Sequence, residues 1–540
     1  MRLGPVAARL DTVRRLAESG ALGPSMPDRL LRAALALWRF GPTPAAACVA
    51  SAARHPNQLA LIDDRGQLTY RELNARTHAL AHALADHGVN EGDNVALLCR
   101  NHRGFVEATV ACSKLGAHVL YLNTGFAGPQ IAEVVAREHV AGVIYDDEFA
   151  PMVADAVRRG QRFIAWRGDA EEDVPEPTLD ELIAAGDASS VVPPAGQGRT
   201  TILTSGTTGT PKGATRALSG LDPVAALLSK IPYRARSVVV DAPPMFHAWG
   251  FANFLLALAM SGTLVLRRKF DPATTLADVA RHRADALVLV PVMLQRILDL
   301  DPQELARYDT ASLRILALSG STLPAKLAER GLDAFGDVLY NLYGSTEVAW
   351  ATIATPADLS AAPGTAGKPP RGTIVRLYDG DDHEVPAGER GRIFVGNKLL
   401  FEGYTGGGSK DMIDGLMATG DVGHFDADGR LFIEGRSDDM IVSGGENVFP
   451  AEIEDAIAGH PSVVEAAVIG VPDPDYGQRL KAFVVPHAGC KLSEKQVKDH
   501  VRSNLARYKV PREVELIDGL PRNATGKVLR RELQAREQGE

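Results

Sequence analysis

The chain has 540 residues, of which 45% are hydrophobic and 23% are charged, a composition that excludes disordered, collagen-like and coiled-coil proteins. At ~150 residues per domain, this length predicts two large domains or several smaller ones. Lysine and arginine number 58 against 67 acidic residues, a net charge of −9, so the charge gives no reason to expect a nucleic-acid partner.

Cysteine usage and hydropathy indicate the compartment. The four cysteines form no C-x-x-C pair and no cluster with zinc-ligand spacing, which favours a reducing compartment such as the cytoplasm. We find no run of ~18 uncharged apolar residues, and we therefore expect no membrane span. The N-terminus does not resemble a secretory signal, because Arg32 interrupts its apolar stretch.

The first 40 residues carry seven arginines against three acidic residues, and their apolar residues recur with helical spacing. This pattern predicts a helical N-terminal extension over residues 1–45. Two interpretations remain open. The extension either packs on the main domain, or it lies on the inner face of the membrane as a basic amphipathic helix.

From residue 57 onward, short apolar runs alternate with segments of helical periodicity. Such alternation is typical of βαβ units and a mainly parallel sheet. The same rhythm returns with strands at 287–290, 313–318 and 338–342. The earlier predicted strands cover 59–63, 94–99, 118–122 and 142–145, and the helices cover 70–87, 104–115 and 128–138.

Two stretches read as connections. Residues 170–198 are rich in acidic residues, proline, alanine and glycine, and 403–415 (GYTGGGSKDMIDG) predicts a flexible loop. The last hundred residues predict helices at 451–458 and 494–505 with strands at 463–470 and 482–485. We therefore predict an α/β protein: a large domain of several subdomains with parallel-rich sheets over 46–437, and a small mobile α+β domain over 438–540.

The densest local motif is TTILTSGTTGTPKGATR at 200–216. An apolar strand start leads into glycines that turn backbone N–H groups toward an anion, and hydroxyl side chains and a lysine add further donors. A Walker A loop is excluded, because Pro211 and Gly213 occupy positions that require glycine and serine or threonine. The candidate phosphate-binding residues are Thr204, Ser205, Gly206, Thr207, Thr208, Gly209 and Lys212.

Five further motifs follow in order along the chain. They are PPMFHAWG (243–250), NLYGSTE (341–347), ATGDVG (418–423), GRSDDMIVSGGENVFPAEIE (435–454) and PRNATGKVLRREL (521–533). Together with the phosphate loop, they resemble the adenylate-forming superfamily of acyl-CoA synthetases, and among these the bacterial fatty-acid–CoA ligases most. The resemblance implies that ATP and Mg²⁺ convert a carboxylic acid to acyl-AMP and pyrophosphate, after which CoA takes the acyl group and AMP leaves.

The resemblance also assigns roles in the nucleotide site. It implies that Tyr343 stacks on adenine, Thr346 donates to the α-phosphate, and Glu347 ligates Mg²⁺ through the hard oxygens this ion prefers. Asp421 is expected to accept the ribose hydroxyls, with Arg436 reaching ribose or phosphate from the other side. The remaining expected nucleotide-binding residues are Gly320, Ser321, Asn341, Gly344 and Ser345.

The small domain is expected to serve both steps. Lys527 is implied as the adenylation lysine, a mobile positive charge needed only in the first step. Asp438 is implied as the hinge about which the domain turns. The residues expected to approach the pantetheine arm of CoA are Ser443, Gly444, Gly445 and Glu446.

The resemblance places the PPMFHAWG motif beside the carboxylic acid substrate. Phe246, His247 and Trp249 are expected to line the acyl pocket, although a lone histidine among apolar residues also fits a packed core position. A medium- or long-chain fatty acid is preferred, because the segment 246–260 is almost wholly apolar. The alternatives are an aromatic or other acid, transfer to an acyl carrier protein, and an inactive scaffold with this fold; a homodimer is left open.

Overall fold

The computed structural model describes residues 5–23, 26–154, 156–157, 161–168, 176–204, 212–216, 222–404, 408–437, 439–443, 446–473, 477–523 and 526–538. Its strands are β1 (Leu59–Asp63), β2 (Gly66–Thr69), β3 (Asn94–Leu98), β4 (His118–Tyr121), β5 (Val140–Asp146), β6 (Arg162–Trp166), β7 (Thr200–Thr204), β8 (Lys212–Arg216), β9 (Val238–Asp241), β10 (Thr263–Val265), β11 (Ala286–Leu289), β12 (Ile315–Leu318), β13 (Leu339–Tyr343), β14 (Thr352–Ala354), β15 (Ile374–Tyr378), β16 (Gly391–Gly396), β17 (Met412–Ile413), β18 (Leu416–Phe425), β19 (Leu431–Arg436), β20 (Ile441–Ser443), β21 (Glu446–Val448), β22 (Val463–Asp473), β23 (Gly477–Pro486) and β24 (Glu513–Leu516).

The α-helices complete the element order. They are α1 (Pro5–Glu18), α2 (Pro27–Phe40), α3 (Pro44–Arg54), α4 (Tyr70–Asp86), α5 (Arg103–Leu115), α6 (Gly128–Arg137), α7 (Ala150–Val153), α8 (Leu179–Ala185), α9 (Asp222–Leu228), α10 (Ala248–Ala259), α11 (Pro272–His282), α12 (Pro291–Leu298), α13 (Pro302–Leu305), α14 (Ala325–Phe335), α15 (Pro356–Ala361), α16 (Pro450–Ala458), α17 (Glu494–Asn504) and α18 (Arg530–Gln538). Among the described helices, none is both long and apolar enough to cross a membrane.

Local sequence signals start several of these elements. Helix α4 begins at a capping box in which the Glu72 backbone N–H donates to Thr69 Oγ1 at 3.3 Å and the Thr69 N–H donates to the Glu72 carboxylate at 2.7 Å. These reciprocal bonds satisfy two of the N–H groups that a helix start leaves unpaired. Strands β11 and β12 are buried at every residue, as expected for parallel strands covered on both faces.

Two sheets form the large domain's core. The eight-stranded sheet has the order β14-β13-β12-β11-β9-β10-β1-β2, and the six-stranded sheet has the order β6-β5-β3-β4-β7-β8. All neighbouring pairs in both are parallel, except the outer pairs β13–β14, β1–β2 and β7–β8. Parallel strands end at a common edge, so the carboxyl ends of β9, β11, β12 and β13 lie side by side, where α/β proteins place their ligands.

Two smaller sheets follow along the chain. Strands β15 to β19 form a sheet whose neighbouring strands are all antiparallel, and strands β20 to β24 form the sheet of the small domain. The predicted fold class, a large parallel-rich domain with a small α+β domain, is therefore confirmed.

Several sequence expectations missed local structure. The predicted connection at 170–198 contains helix α8, which starts at its own capping box at Thr178. The predicted loop at 403–415 contains strand β17, which pairs with β18. The antiparallel sheet of β15 to β19 was not predicted, because no helix of the described residues lies between its strands and the segment therefore shows no βαβ rhythm.

Candidate active site at the carboxyl edge

The NLYGSTE motif lies where β13 leaves the eight-stranded sheet. Tyr343 is the last residue of the strand, and Gly344 turns the chain so sharply that a Cβ there would lie 2.2 Å from the Ala349 carbonyl oxygen. Gly320 and Ser321 follow the neighbouring strand β12, and Gly320 has φ +97°. The geometry brings these predicted residues together at one edge.

Strand β18 presents Asp421 to Tyr343. The Tyr343 hydroxyl donates to Asp421 Oδ2 at 2.5 Å and lies 3.2 Å from Thr419 Oγ1. Asp421 is paired in register with Arg436 of β19, whose Nη1 lies 3.6 Å from Asp421 Oδ1. Burial raises the pKa of Asp421, against the hydrogen bond from Tyr343 and the charge of Arg436.

Glu347 is a half-buried carboxylate held in a defined orientation. Its backbone N–H donates to Ser345 Oγ at 3.3 Å, and its carbonyl accepts from Phe401 N at 2.8 Å. Burial opposes its ionisation, but hydrogen bonds from Tyr404, whose hydroxyl donates to Oε1 at 2.7 Å, and from Ser345 outweigh it and hold the pKa below its usual value. An ionised oxygen ligand of this kind fits Mg²⁺; Thr346 lies beside it in the same turn.

Asn341 adds an unsatisfied acceptor to the same edge. Its side chain is buried, and its Oδ1 has no hydrogen-bond partner within the described part of the chain. A buried amide oxygen without a partner costs ~1–3 kcal/mol, and the exocyclic amine of adenine is a donor that could satisfy it. Asn341, Tyr343, Glu347, Asp421 and Arg436 are called the edge cluster below.

Lys527 reaches the edge cluster from the small domain. It is exposed on a turn in which the Gly526 N–H donates to the Asn523 carbonyl at 2.9 Å and the Lys527 N–H donates to Asn523 Oδ1 at 2.8 Å. Its charge acts on Asp421, where it opposes the rise in pKa that burial causes. The turn rests on helix α12: a Cβ on Gly526, at φ +79°, would lie 2.4 Å from Val292 Cγ1.

The PPMFHAWG motif leads from β9 into α10. Phe246 is buried, its ring 4.5 Å from the ring of His247, and Trp249 Nε1 donates to the Leu289 carbonyl at 3.0 Å at the end of β11. Burial lowers the pKa of His247 to about 4, so its imidazole is neutral at physiological pH. Its Nε2 is buried and has no hydrogen-bond partner among the described residues.

Comparison with known proteins identifies the family. The model of the AMP-binding enzymes matches residues 48–405, and that of their C-terminal domain matches residues 452–527. The chain belongs to the AMP-binding enzyme family. This membership confirms the resemblance to the adenylate-forming superfamily and the expected cofactor set of ATP, Mg²⁺ and CoA.

The relatives of this AMP-binding enzyme act on different acids. A feruloyl-CoA synthase from Amycolatopsis sp. is 36% identical, over 87% of this chain and 94% of its own length. A fatty acid–[acyl-carrier-protein] ligase from Streptomyces coeruleorubidus is 30% identical, over 90% of this chain and 94% of its own. The structure of an anthranilate CoA ligase in complex with anthranoyl-AMP aligns with TM-score 0.81 and 25% identity, over 92% of this chain and 97% of that one.

Some predicted residues lie outside the described residues. They are Ser205, Gly206, Thr207, Thr208 and Gly209 of the phosphate loop, the hinge residue Asp438, and Gly444 and Gly445. Their neighbours are described: Thr204 is paired in register with Lys212 in β7 and β8, and Ser443 is paired in register with Glu446 in β20 and β21.

Two residues that support the site were missed by sequence reasoning. Asn101 Nδ2 donates to the Pro243 carbonyl at 2.7 Å, and Asn101 Oδ1 accepts from Met245 N at 2.8 Å, so one amide shapes the PPMFHAWG turn. Its place just after the buried strand β3 was an available signal. Tyr404, which orients Glu347, lies in a stretch whose sequence predicted only a loop. No sequence signal pointed to a role for this tyrosine.

Proposed function

We propose that this AMP-binding enzyme is an AMP-forming acid–CoA ligase. In the first step the carboxylate of the acid bonds to the α-phosphorus of ATP, and pyrophosphate leaves with the electron pair of the broken bond. In the second step the sulfur of CoA bonds to the acyl carbon, its proton is lost, and AMP leaves. The proposal depends most on one observation: the turn that carries Lys527 contacts helix α12 of the large domain, where a Cβ on Gly526 would lie 2.4 Å from Val292 Cγ1.

The edge cluster is proposed to bind the nucleoside. Tyr343 offers a ring face to adenine, Asn341 Oδ1 accepts from the adenine amine, and Asp421 accepts from the ribose hydroxyls while Arg436 pairs with it. Gly320, Ser321, Gly344 and Ser345 border the same space. Because Tyr343 and Arg436 already hold the Asp421 carboxylate, little reorganisation is needed when the ribose binds.

The phosphates and the metal are assigned to the remaining groups. Thr346 and the loop from Thr204 to Lys212 are proposed to donate to the phosphates, and Glu347 to hold Mg²⁺. When bound, Mg²⁺ would neutralise the charge that two anions bring together. Tyr404 keeps the Glu347 carboxylate ionised and oriented toward that role.

The small domain is proposed to alternate between two poses. In the first pose, Lys527 is proposed to stabilise charge as the carboxylate meets the α-phosphate. Rotation about Asp438 would then withdraw Lys527 and bring residues 443–446 to the pantetheine arm. The proposed boundaries are 1–45 for the helical extension, 46–437 for the large domain and 438–540 for the small domain.

The acid is proposed to be a medium- or long-chain fatty acid. Support comes from the wall of the expected pocket, where Phe246 is buried and Trp249 is fixed by its bond to Leu289. The N-terminal extension, with its apolar surface, also suits a lipid substrate.

An aromatic acid is the second candidate, and one observation favours it. His247 Nε2 is a buried polar atom without a partner, which a plain alkyl chain would leave unsatisfied and a substrate hydroxyl would satisfy. The similarity to a feruloyl-CoA synthase at 36% identity points the same way.

A substrate panel tests these proposals. Pyrophosphate release is measured with acids from acetate through long-chain fatty acids to benzoates and cinnamates, each with CoA or a carrier protein as acceptor. A preference for cinnamates would contradict the fatty-acid proposal. If thioester forms only on the carrier protein, the carrier replaces CoA as the proposed acceptor. If no acid causes pyrophosphate release, the inactive scaffold is favoured.

The proposal also covers the cellular location and the oligomeric state of the enzyme. We place the enzyme in the cytoplasm, with its N-terminal extension at the inner face of the membrane. A homodimer is the alternative to a monomer, and sedimentation velocity over a concentration series decides between them.

A further inference from the structure

The N-terminal extension is two helices, and both are anchored. On α1, Asp11 Oδ2 lies 3.1 Å from Arg371 Nε, and Thr12 Oγ1 donates to Asp222 Oδ1 at 3.1 Å. Helix α2 buries Ala33, Ala36 and Phe40 and packs on α3. The extension is therefore packed on the main domain, which was the first interpretation of its sequence, but packing accounts for only one side of α2.

The opposite side of α2 is apolar and exposed. At about 100° per residue, its exposed apolar residues fall on a continuous arc of about 160°, away from the buried positions. Trp38, the largest of them, is 80% exposed, and Leu31 is 62% exposed. This exposed apolar face consists of Leu30, Leu31, Ala34, Leu35, Leu37 and Trp38.

Exposed large apolar side chains are concentrated in the N-terminal extension. Of the fourteen large apolar side chains that the described residues expose, nine lie between residues 10 and 38. Beyond α2 they include Leu10, Val13, Leu22 and Met26. A concentration of this size on a folded protein marks a surface that meets an apolar partner.

The charged residues beside the exposed apolar face indicate which kind of partner this face binds. Arg32 and Arg39 are exposed next to the arc, and residues 1–40 carry seven arginines against three acidic residues in a chain of net charge −9. An anionic surface would attract this segment and repel the rest of the protein, which orients the molecule. A second copy would bring a surface of the same net positive charge against this one.

We infer that the exposed apolar face of α2 is the docking site for an anionic lipid surface. Trp38, Leu31 and Leu35 enter the boundary between headgroups and acyl chains, and Arg32 and Arg39 contact lipid phosphates. The inference names the surface that the proposed membrane contact would use, and it is independent of the acid that the enzyme activates.

Vesicle flotation of the full chain tests the inference. Vesicles of phosphatidylcholine alone are compared with vesicles that also contain phosphatidylglycerol. The wild type should bind the anionic vesicles, and Leu31→Gln/Trp38→Gln should bind at least tenfold less. Arg32→Gln/Arg39→Gln should lose roughly tenfold on anionic vesicles only. The matched control is Ile374→Gln/Met412→Gln, which changes exposed apolar residues elsewhere and should bind like the wild type.

A second readout reports on Trp38 directly. Because Trp38 is the most exposed of the four tryptophans, its emission should shift to the blue on anionic vesicles, and Trp38→Phe should bind without that shift. Each variant should keep the wild-type melting temperature and turnover of a short water-soluble acid, which separates this test from the proposed function. Equal binding by wild type and Leu31→Gln/Trp38→Gln, or dimerisation through this face without vesicle binding, would overturn the inference.

Discussion

The edge cluster of the large domain and the Lys527 turn of the small domain hold their polar groups in different ways. Asp421, Tyr343 and Glu347 are partly buried, fixed by hydrogen bonds and shifted in pKa. Lys527 is exposed, and the hydrogen bonds described for its turn hold the backbone, through Asn523 and Arg522.

We expect this difference to separate residues that act in both half-reactions from a residue that acts in only one. Groups fixed before the substrate arrives act whenever the nucleotide is present, so they should matter in both half-reactions. A charge delivered by a second domain acts only while that domain is docked. Substitutions in the two regions should therefore affect the two half-reactions differently.

Lys527→Ala should reduce acyl-AMP formation by roughly 10²–10³-fold, because it removes a charge that stabilises only the first transition state. Given presynthesised acyl-AMP and CoA, the variant should form thioester at nearly the wild-type rate. Single-turnover kinetics measure both steps. Lys495→Ala, another exposed lysine of the same domain, is the control, and equal slowing of both steps in Lys527→Ala would remove the distinction between the regions.

Asp421→Asn should weaken both half-reactions, by roughly 10- to 100-fold in kcat/KM, since it removes a charged acceptor worth ~1.5–3 kcal/mol. ATP binding and acyl-AMP binding should decline together. Asp428→Asn, on the exposed turn between β18 and β19, should change neither. An effect confined to one step would show that the edge cluster does not serve both.

His247→Gln should make the protein less sensitive to acid. The buried histidine keeps its pKa at about 4 while the unfolded chain takes up the proton near 6.5, so it contributes stability that is lost as pH falls through that window. The free energy of unfolding should therefore drop by ~2 kcal/mol less between pH 7 and 5 than in the wild type. Urea unfolding at both values measures this, and an unchanged pH dependence would mean that His247 is not desolvated.

Glu347→Gln should raise the Mg²⁺ concentration needed for half-maximal adenylation about tenfold, the effect of losing ~1.4 kcal/mol of metal binding. Glu402→Gln, an exposed neighbour near Tyr404, should leave the Mg²⁺ titration unchanged. If Glu347→Gln also leaves it unchanged, Glu347 is not the ligand.

Gly526→Ala should slow adenylation about three- to fivefold and spare thioester formation, because the new Cβ meets Val292 only in the pose seen here. Gly489→Ala is a matched control in the same domain, with the same φ of +79° and nothing within 4 Å of its Cβ. It carries the backbone strain without the contact. Equal effects of the two substitutions would mean that the Lys527 turn does not dock on α12.

Sequence reasoning recovered the elements whose signals are local. The parallel strands and their helices were predicted because apolar runs and helical periodicity are patterns within a few neighbouring residues, as in helix α4. The motif residues Tyr343, Asp421 and Lys527 were predicted to share one site through a family resemblance, since 184 residues separate the first from the last and no local pattern joins them.

Fold class, motif order and family follow from the amino-acid sequence alone, because these depend on residue types and on short spacings. Tertiary structure decided which groups touch: the Tyr404 bond to Glu347, the Asn101 bridge in the PPMFHAWG turn, the contact of Gly526 with Val292, and which side of α2 stays exposed. Each of these requires the position of a distant segment, and a distance between segments is a property of the folded chain.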